Sequence, residues 1–180
     1  MGAIKNVTVS RRGEKWDVSI QTEYEVSSPA SNPSEIGIDM GVKRFVTMSN
    51  GDFVEPLNPF KQEQEKLAKL QRKLARQKKG SRNSRKTKRK IARLHHYIAD
   101  SRRDFLHKTS TKIAKNHSLI YVEDLKVSNM SASASGTKES PGKNVRQKSG
   151  LNRSILDQGW YSFFRMLSYK LERRGGRLIK

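Results

Sequence analysis

Residues 36–51, IGIDMGVKRFVTMSNG, and residues 120–125, IYVEDL, decide how this chain is read. Glu35 to Val42 is a short apolar run carrying one acid, Asp39; Arg44 to Ser49 is a second run, closed by the tight-turn pair Asn50-Gly51. Apolar runs of this length bounded by turn residues predict strands, and Phe53-Val54 opens a third. Ser118 to Leu125 is rich in β-branched and aromatic residues and ends on another acid, Glu123, which predicts a buried fourth strand. If the two acid-bearing strands are parallel neighbours they bury both faces, so an acid in each is costly unless it binds something. Gly37 and Gly41 flank Asp39, as close approach of another backbone requires. The plainer alternatives are an ordinary turn acid for Asp39 and a solvated strand-end acid for Glu123. Asp124 is read as the cap of a following turn.

Between these strands the pattern changes. Leu67, Leu70 and Leu74, then Ile91, Leu94, Ile98 and Phe105, recur at helical spacing over Lys61 to His117, so two long helices are predicted, joined near residues 80–84. Residues 66–93 hold 14 Lys and Arg among 28 positions and no acid. A solvated helical face normally carries acids that pair with its bases at i,i+4, and here there are none. Phosphate contact is the better reading, with Arg72, Lys73, Arg76, Lys78, Lys79, Arg82, Arg85, Lys86, Lys88, Arg89, Lys90 and Arg93 as candidate nucleic-acid-binding residues. Such contacts position a strand without reading its bases. The pair His95-His96 is read as surface or packing rather than as metal ligands.

Residues 128–150 are too polar and too rich in Ser, Gly and Lys to bury a face, and are expected to form a flexible loop. From Leu151 to Arg174 the apolar residues Leu156, Trp160, Phe163, Phe164, Leu167 and Leu171 predict one helix, stopped by Gly175-Gly176, with the aromatics in the core. Arg177 to Lys180 reads as the opening of a further strand. At the other end, Val7, Val9, Trp16, Val18 and Ile20 alternate with polar residues about Arg11–Lys15, predicting a β-hairpin over residues 4–26 that belongs to a sheet whose other strands are elsewhere or absent. The Pro/Ser/Asn stretch that follows predicts a linker, residues 28–35.

With 38 Lys and Arg against 17 Asp and Glu among 180 residues, the formal net charge is +21, an excess that works against compactness unless a polyanion neutralises it. The chain has no cysteine, which excludes disulfides and thiolate metal sites within it. No apolar run has the length of a membrane span and the N-terminus lacks a signal-peptide core, so no membrane partner and a cytoplasmic location are expected.

Three short strands, a helical insertion, a strand, a helix and a last strand is the element order of a ribonuclease H-like domain. The wording of residues 36–51 and 120–125 resembles the first and second nuclease motifs of the TnpB family, also called OrfB transposases, which share a RuvC-like core with type V CRISPR effectors. Leu151-Asn152-Arg153-Ser154, Gln158-Gly159-Trp160 and Tyr169-Lys170-Leu171 are similar to the stretch before that family's zinc ribbon. The resemblance implies an α/β fold: a RuvC-like domain with a mixed sheet over residues 36–180, a basic helical insertion at 60–117, and residues 1–27 as the end of a separate RNA-facing β-domain. It further implies a transposon-associated, RNA-guided DNA endonuclease, with DNA and a guide RNA as partners and Asp39 and Glu123 as catalytic ligands of Mg²⁺ or Mn²⁺. The family's zinc ribbon and third motif, which carries an Asp, lie beyond the strand that opens at Arg177. The chain is therefore expected to be a truncation that binds metal weakly, with zinc confined to the missing part. The rival of another class is a non-catalytic basic nucleic-acid-binding protein whose acids are incidental.

Overall fold

A computed structural model describes residues 2–13, 15–23, 25 and 34–180. The chain divides into two compact units, Met1–Ser28 with Gln64–Tyr97 and Pro29–Glu63 with Ile98–Lys180. The linker expected at 28–35 lies outside the described residues except for Ser34 and Glu35.

The first unit holds strands β1 (Ala3–Arg12) and β2 (Lys15–Glu23), paired antiparallel as the alternation predicts, with Val7 opposite Ile20, Val9 opposite Val18 and Arg11 opposite Trp16. A register shift between Ile4 and Asn6 sets Ile4 opposite Thr22, so Ile4 joins the same face despite its even position. Among the described residues these two strands form a sheet by themselves, and their apolar face is exposed, Trp16 at 66%. The unit also contains most of helix α1 (Pro59–Ala75) and the first half of helix α2 (Arg82–Asn116). Here Leu67, Ser84, Thr87 and Leu94 are buried, the last three spaced so that one stripe of α2 faces inward.

The second unit is mixed α/β. Strands β3 (Glu35–Met40), β4 (Val46–Met48), β5 (Phe53–Val54), β6 (Leu119–Val122) and β7 (Arg177–Ile179) make one sheet in the order β5-β4-β3-β6-β7. β3, β4 and β5 run antiparallel in sequence, whereas β6 and β7 are parallel to β3. Helices α3 (Val127–Met130), α4 (Val145–Gln158) and α5 (Trp160–Glu172) lie between β6 and β7 in the chain. Phe45, Val46, Ile120, Phe163, Leu167 and Leu171 are wholly buried. The Phe45 ring meets Phe105 and Phe163 edge-on at 5.0 Å, an arrangement that adds to the burial of the rings themselves. Lys170 ties α5 to α2 by donating to the His107 carbonyl and the Ser110 and Thr111 hydroxyls at 2.7–2.8 Å; burial pushes its ammonium pKa below the ordinary lysine value.

Three expectations need correction. The single helix over 151–174 is two, because Gly159 adopts φ 71° between α4 and α5, a conformation that glycine reaches without steric cost. Its first turns lie inside the stretch read as a loop: α4 begins at Val145, and Asn152 Nδ2 donates to the carbonyls of Ser131 and Ala132. Thirdly, the central strands are not buried on both faces: Ile36, Ile38, Met40, Ile120 and Val122 are buried while Asp39, Tyr121 and Glu123 are exposed. The acids thus escape the desolvation cost assumed for them.

Between α3 and α4, residues 133–143 form no helix and have little to bury; a Gly136–Pro141 bridge is their one strand-like pairing among the described residues. Limited trypsin digestion of the free chain is expected to cut first at Lys138 or Lys143. First cleavage in the basic helices, with this loop intact, would contradict that.

Candidate metal centre and nucleic-acid interface

The pairing of β3 with β6 builds the candidate metal centre. Ile36 lies opposite Ile120, Gly37 opposite Tyr121 and Ile38 opposite Val122. Carried one residue further, this parallel register sets Glu123 abreast of Asp39 at the carboxyl ends of both strands. Side chains alternate between faces with period two, which puts Asp39 on the exposed face of β3, and Glu123, one residue past the end of β6, is exposed as well. A cleft outside the carboxyl ends of parallel strands is where open α/β sheets ordinarily bind ligands.

The glycines about Asp39 do different work. A Cβ at Gly41 would sit 2.9 Å from the Arg44 carbonyl oxygen, so the turn into β4 needs glycine there. At Gly37 a Cβ would meet only Ser49 at 3.6 Å, an ordinary contact. The Gly37 amide donates to Ser49 Oγ at 3.1 Å, and the Ser49 amide returns to the Gly37 carbonyl at 2.9 Å. Asp124 caps no turn: α3 has no side-chain cap, and Asp124 instead pairs with Lys180 at 3.6 Å, an exposed contact of little energetic weight.

Hard carboxylate oxygens on one open face suit a hard divalent ion. Among the described residues no cluster of three or more His, Cys, Asp or Glu forms a fuller metal site.

The residue that sequence reasoning missed is Asp157, near the end of α4 and only 5% exposed. Its carboxylate accepts the Phe60 amide at 3.0 Å, the Lys61 amide at 3.2 Å and Arg102 Nη2 at 2.6 Å, while Arg102 Nε donates to its carbonyl at 2.8 Å. The first turn of α1 contains no acid of its own, so Asp157 supplies the acceptor that its free amides require. Beside it, Gln158 Nε2 donates to Asn58 Oδ1 at 2.8 Å. The available signal was a lone acid three residues before Trp160, at the edge of the face that the apolar spacing assigns to the core, where a carboxylate needs partners.

In the other unit, all twelve candidate phosphate-binding residues from Arg72 to Arg93 are exposed. His95 is exposed and His96 half-buried, its ring 3.3 Å from where a Cβ on Gly13 would lie, in keeping with packing.

These are the features of a basic α/β protein with an open acid pair at its strand ends. The family model OrfB_IS605, described as a probable transposase, matches residues 19–134, and the chain belongs to that family. It is 57% identical over 179 residues to "Putative RNA-guided DNA endonuclease InsQ" of Escherichia coli (strain K12), an alignment covering 99% of this chain and 44% of that protein. It is 34% identical over 174 residues to a "Putative RNA-guided DNA endonuclease" of Streptomyces pristinaespiralis, covering 96% of this chain and 40% of the relative. The chain therefore spans under half the length of these curated relatives.

Proposed function

We propose that this chain is part of a transposon-associated, RNA-guided DNA endonuclease with a RuvC-like ribonuclease H core, and that Asp39 and Glu123 hold its divalent metal. The observation that carries this reading is the β3–β6 register: carried one residue past Ile38 and Val122, it sets two exposed acids abreast. The names of the relatives support the substrate and the guide. A bound Mg²⁺ or Mn²⁺ supplies activation of water and charge stabilisation at a phosphodiester. Asp39 and Glu123 provide its oxygen ligands and leave the rest of its coordination shell to water, substrate phosphate and donors outside these two strands. The basic run holds phosphate backbones, and base pairing with a guide RNA supplies the sequence selection that phosphate contacts lack. A basic binding protein with incidental acids would have no reason to align them in this way.

Thermal unfolding with and without millimolar Mn²⁺ tests the reading without requiring cleavage. Ion at ten times its Kd stabilises by about 1.4 kcal/mol, a midpoint rise of roughly 3–6 °C for a chain of this size. That rise is expected in the wild type and absent in Asp39→Asn and Glu123→Gln. Either substitution relieves like-charge repulsion between the carboxylates, so the metal-free protein should be no less stable. Equal Mn²⁺ shifts in all three proteins would place the ion elsewhere.

A further inference from the structure

Helix α5 turns two different faces to its surroundings. Trp160, Phe163, Phe164, Leu167 and Leu171 are buried, whereas Tyr161, Arg165 and Tyr169 are exposed, the tyrosines at 68% and 39%. Spaced by four residues, these three form a single line along the helix. The Arg165 guanidinium lies 6.0 Å from the centre of the Tyr161 ring.

A depression flanks this line on each side, of about 710 and 500 Å³, and Arg165 borders both. Each is large enough for a nucleotide-sized ligand. The one beside Tyr161 also carries Lys126 and Lys180, with Asp124 as the single acid, already paired to Lys180. The one beside Tyr169 carries Arg103 as a further cation; Arg102 is committed to Asp157, and His107 adds no charge, because burial and the nearby Lys170 and Arg103 lower its pKa. Exposed rings between cationic depressions combine the two elements by which proteins hold single strands: π-faces for bases and positive charge for the backbone.

We propose that the Tyr161–Arg165–Tyr169 ridge of α5 binds single-stranded nucleic acid, each tyrosine stacking on one base and Arg165 contacting the phosphate backbone between them. Eight residues of helix separate the rings by about 12 Å along the axis, whereas stacked bases in a duplex strand advance by about 3.4 Å. The ridge therefore fits a strand drawn out of its stack and rejects a duplex, whose bases already cover one another. Asp124 and Leu125, which follow Glu123, border the same depression as Tyr161, so a strand on the ridge is led toward the acid pair. Only that destination rests on the nuclease reading; binding itself needs no metal.

The test uses the full 180-residue chain carrying Arg85, Lys86, Lys88, Arg89 and Lys90→Gln, so that the basic run does not mask the ridge. Fluorescence anisotropy without divalent metal is measured on a dT 12-mer, an rU 12-mer and a 12-base-pair duplex. Tyr161→Leu with Tyr169→Leu is expected to weaken single-strand binding about tenfold for each ring removed and to leave duplex binding within about twofold. A loss on both single strands means the ridge accepts either sugar, and a loss on one identifies the strand it serves. Photo-crosslinking of a 4-thiothymidine oligonucleotide should label peptides containing Tyr161 or Tyr169. Unchanged affinity for both single strands, as expected if the ridge is a protein-docking face, would overturn the proposal; so would an equal loss on the duplex. Because no step requires metal, failure here leaves the Mn²⁺ result at Asp39 and Glu123 standing.

Discussion

Nucleic-acid affinity should fall by about 10³ to 10⁵ between 50 and 200 mM salt, the range for a surface that engages six to ten phosphates. The cause is the run from Lys66 to Arg93, whose 14 bases face no acid within the run and whose twelve candidate phosphate-binding residues are all exposed. Each cation that meets a phosphate releases condensed counterion, and that entropy shrinks as bulk salt rises. Changing Arg85, Lys86, Lys88, Arg89 and Lys90 to Gln should lower the log–log salt slope by about 0.9 for each phosphate that is no longer engaged. The weakening should be similar for all sequences, because phosphates carry no base identity. Filter binding or anisotropy across a salt series measures both quantities. A flat titration would remove phosphate contact as the role of this run, and a sequence-selective loss would show that these residues read bases.

The second large effect concerns Asp157. Asp157→Ala should destabilise the protein by about 3–5 kcal/mol, the usual cost of breaking a buried, hydrogen-bonded ion pair by removing one partner. The substitution strands Arg102, whose side chain is itself largely shielded, and leaves the Phe60 and Lys61 amides without their carboxylate acceptor. For a chain of this length the unfolding midpoint should drop by roughly 6–20 °C. Alanine removes the whole group; Asp157→Asn retains an acceptor oxygen and should cost less. A midpoint within a degree or two of wild type for Asp157→Ala would mean that water replaces the carboxylate at little cost. Lys108, paired with Asp104 on the exposed surface of α2, provides the contrast, since losing that pair should be nearly neutral.

Much of the fold was legible because its signals are local. The tight turn at Asn50-Gly51, the alternation of the N-terminal hairpin and the apolar spacing of the two long helices each reside in a few neighbouring residues, and the strands and helices form where these signals place them. The stop after α5 is local too: the Gly175 and Gly176 amides return to the Glu172 and Leu171 carbonyls at 3.0 and 2.9 Å, the bonding that such a glycine pair favours. The break at Gly159 was not legible, since a glycine inside an amphipathic pattern is as compatible with a continuous helix as with two. Here the tertiary surroundings decide, with Arg102 and Leu106 lying 3.1 and 3.3 Å from where a Cβ would stand.

The acids divide along the same line. That Asp39 and Glu123 stand out from apolar strands is written in residues 36–51 and 120–125, and so is the likeness from which a ligand role is expected of them. That they lie on the open face follows from the pleat and from what covers the sheet. Periodicity within one strand cannot supply this, because a buried strand and a half-exposed one can share the same short apolar run. Asp157 is the extreme case. Its meaning depends on Phe60, 97 residues away, and on Arg102, 55 residues away. By itself, the sequence determined most of the elements, the charge and the family likeness. Only the tertiary structure decided which acid is buried and which are open, because burial is a property of the residues that chain folding brings together across long separations.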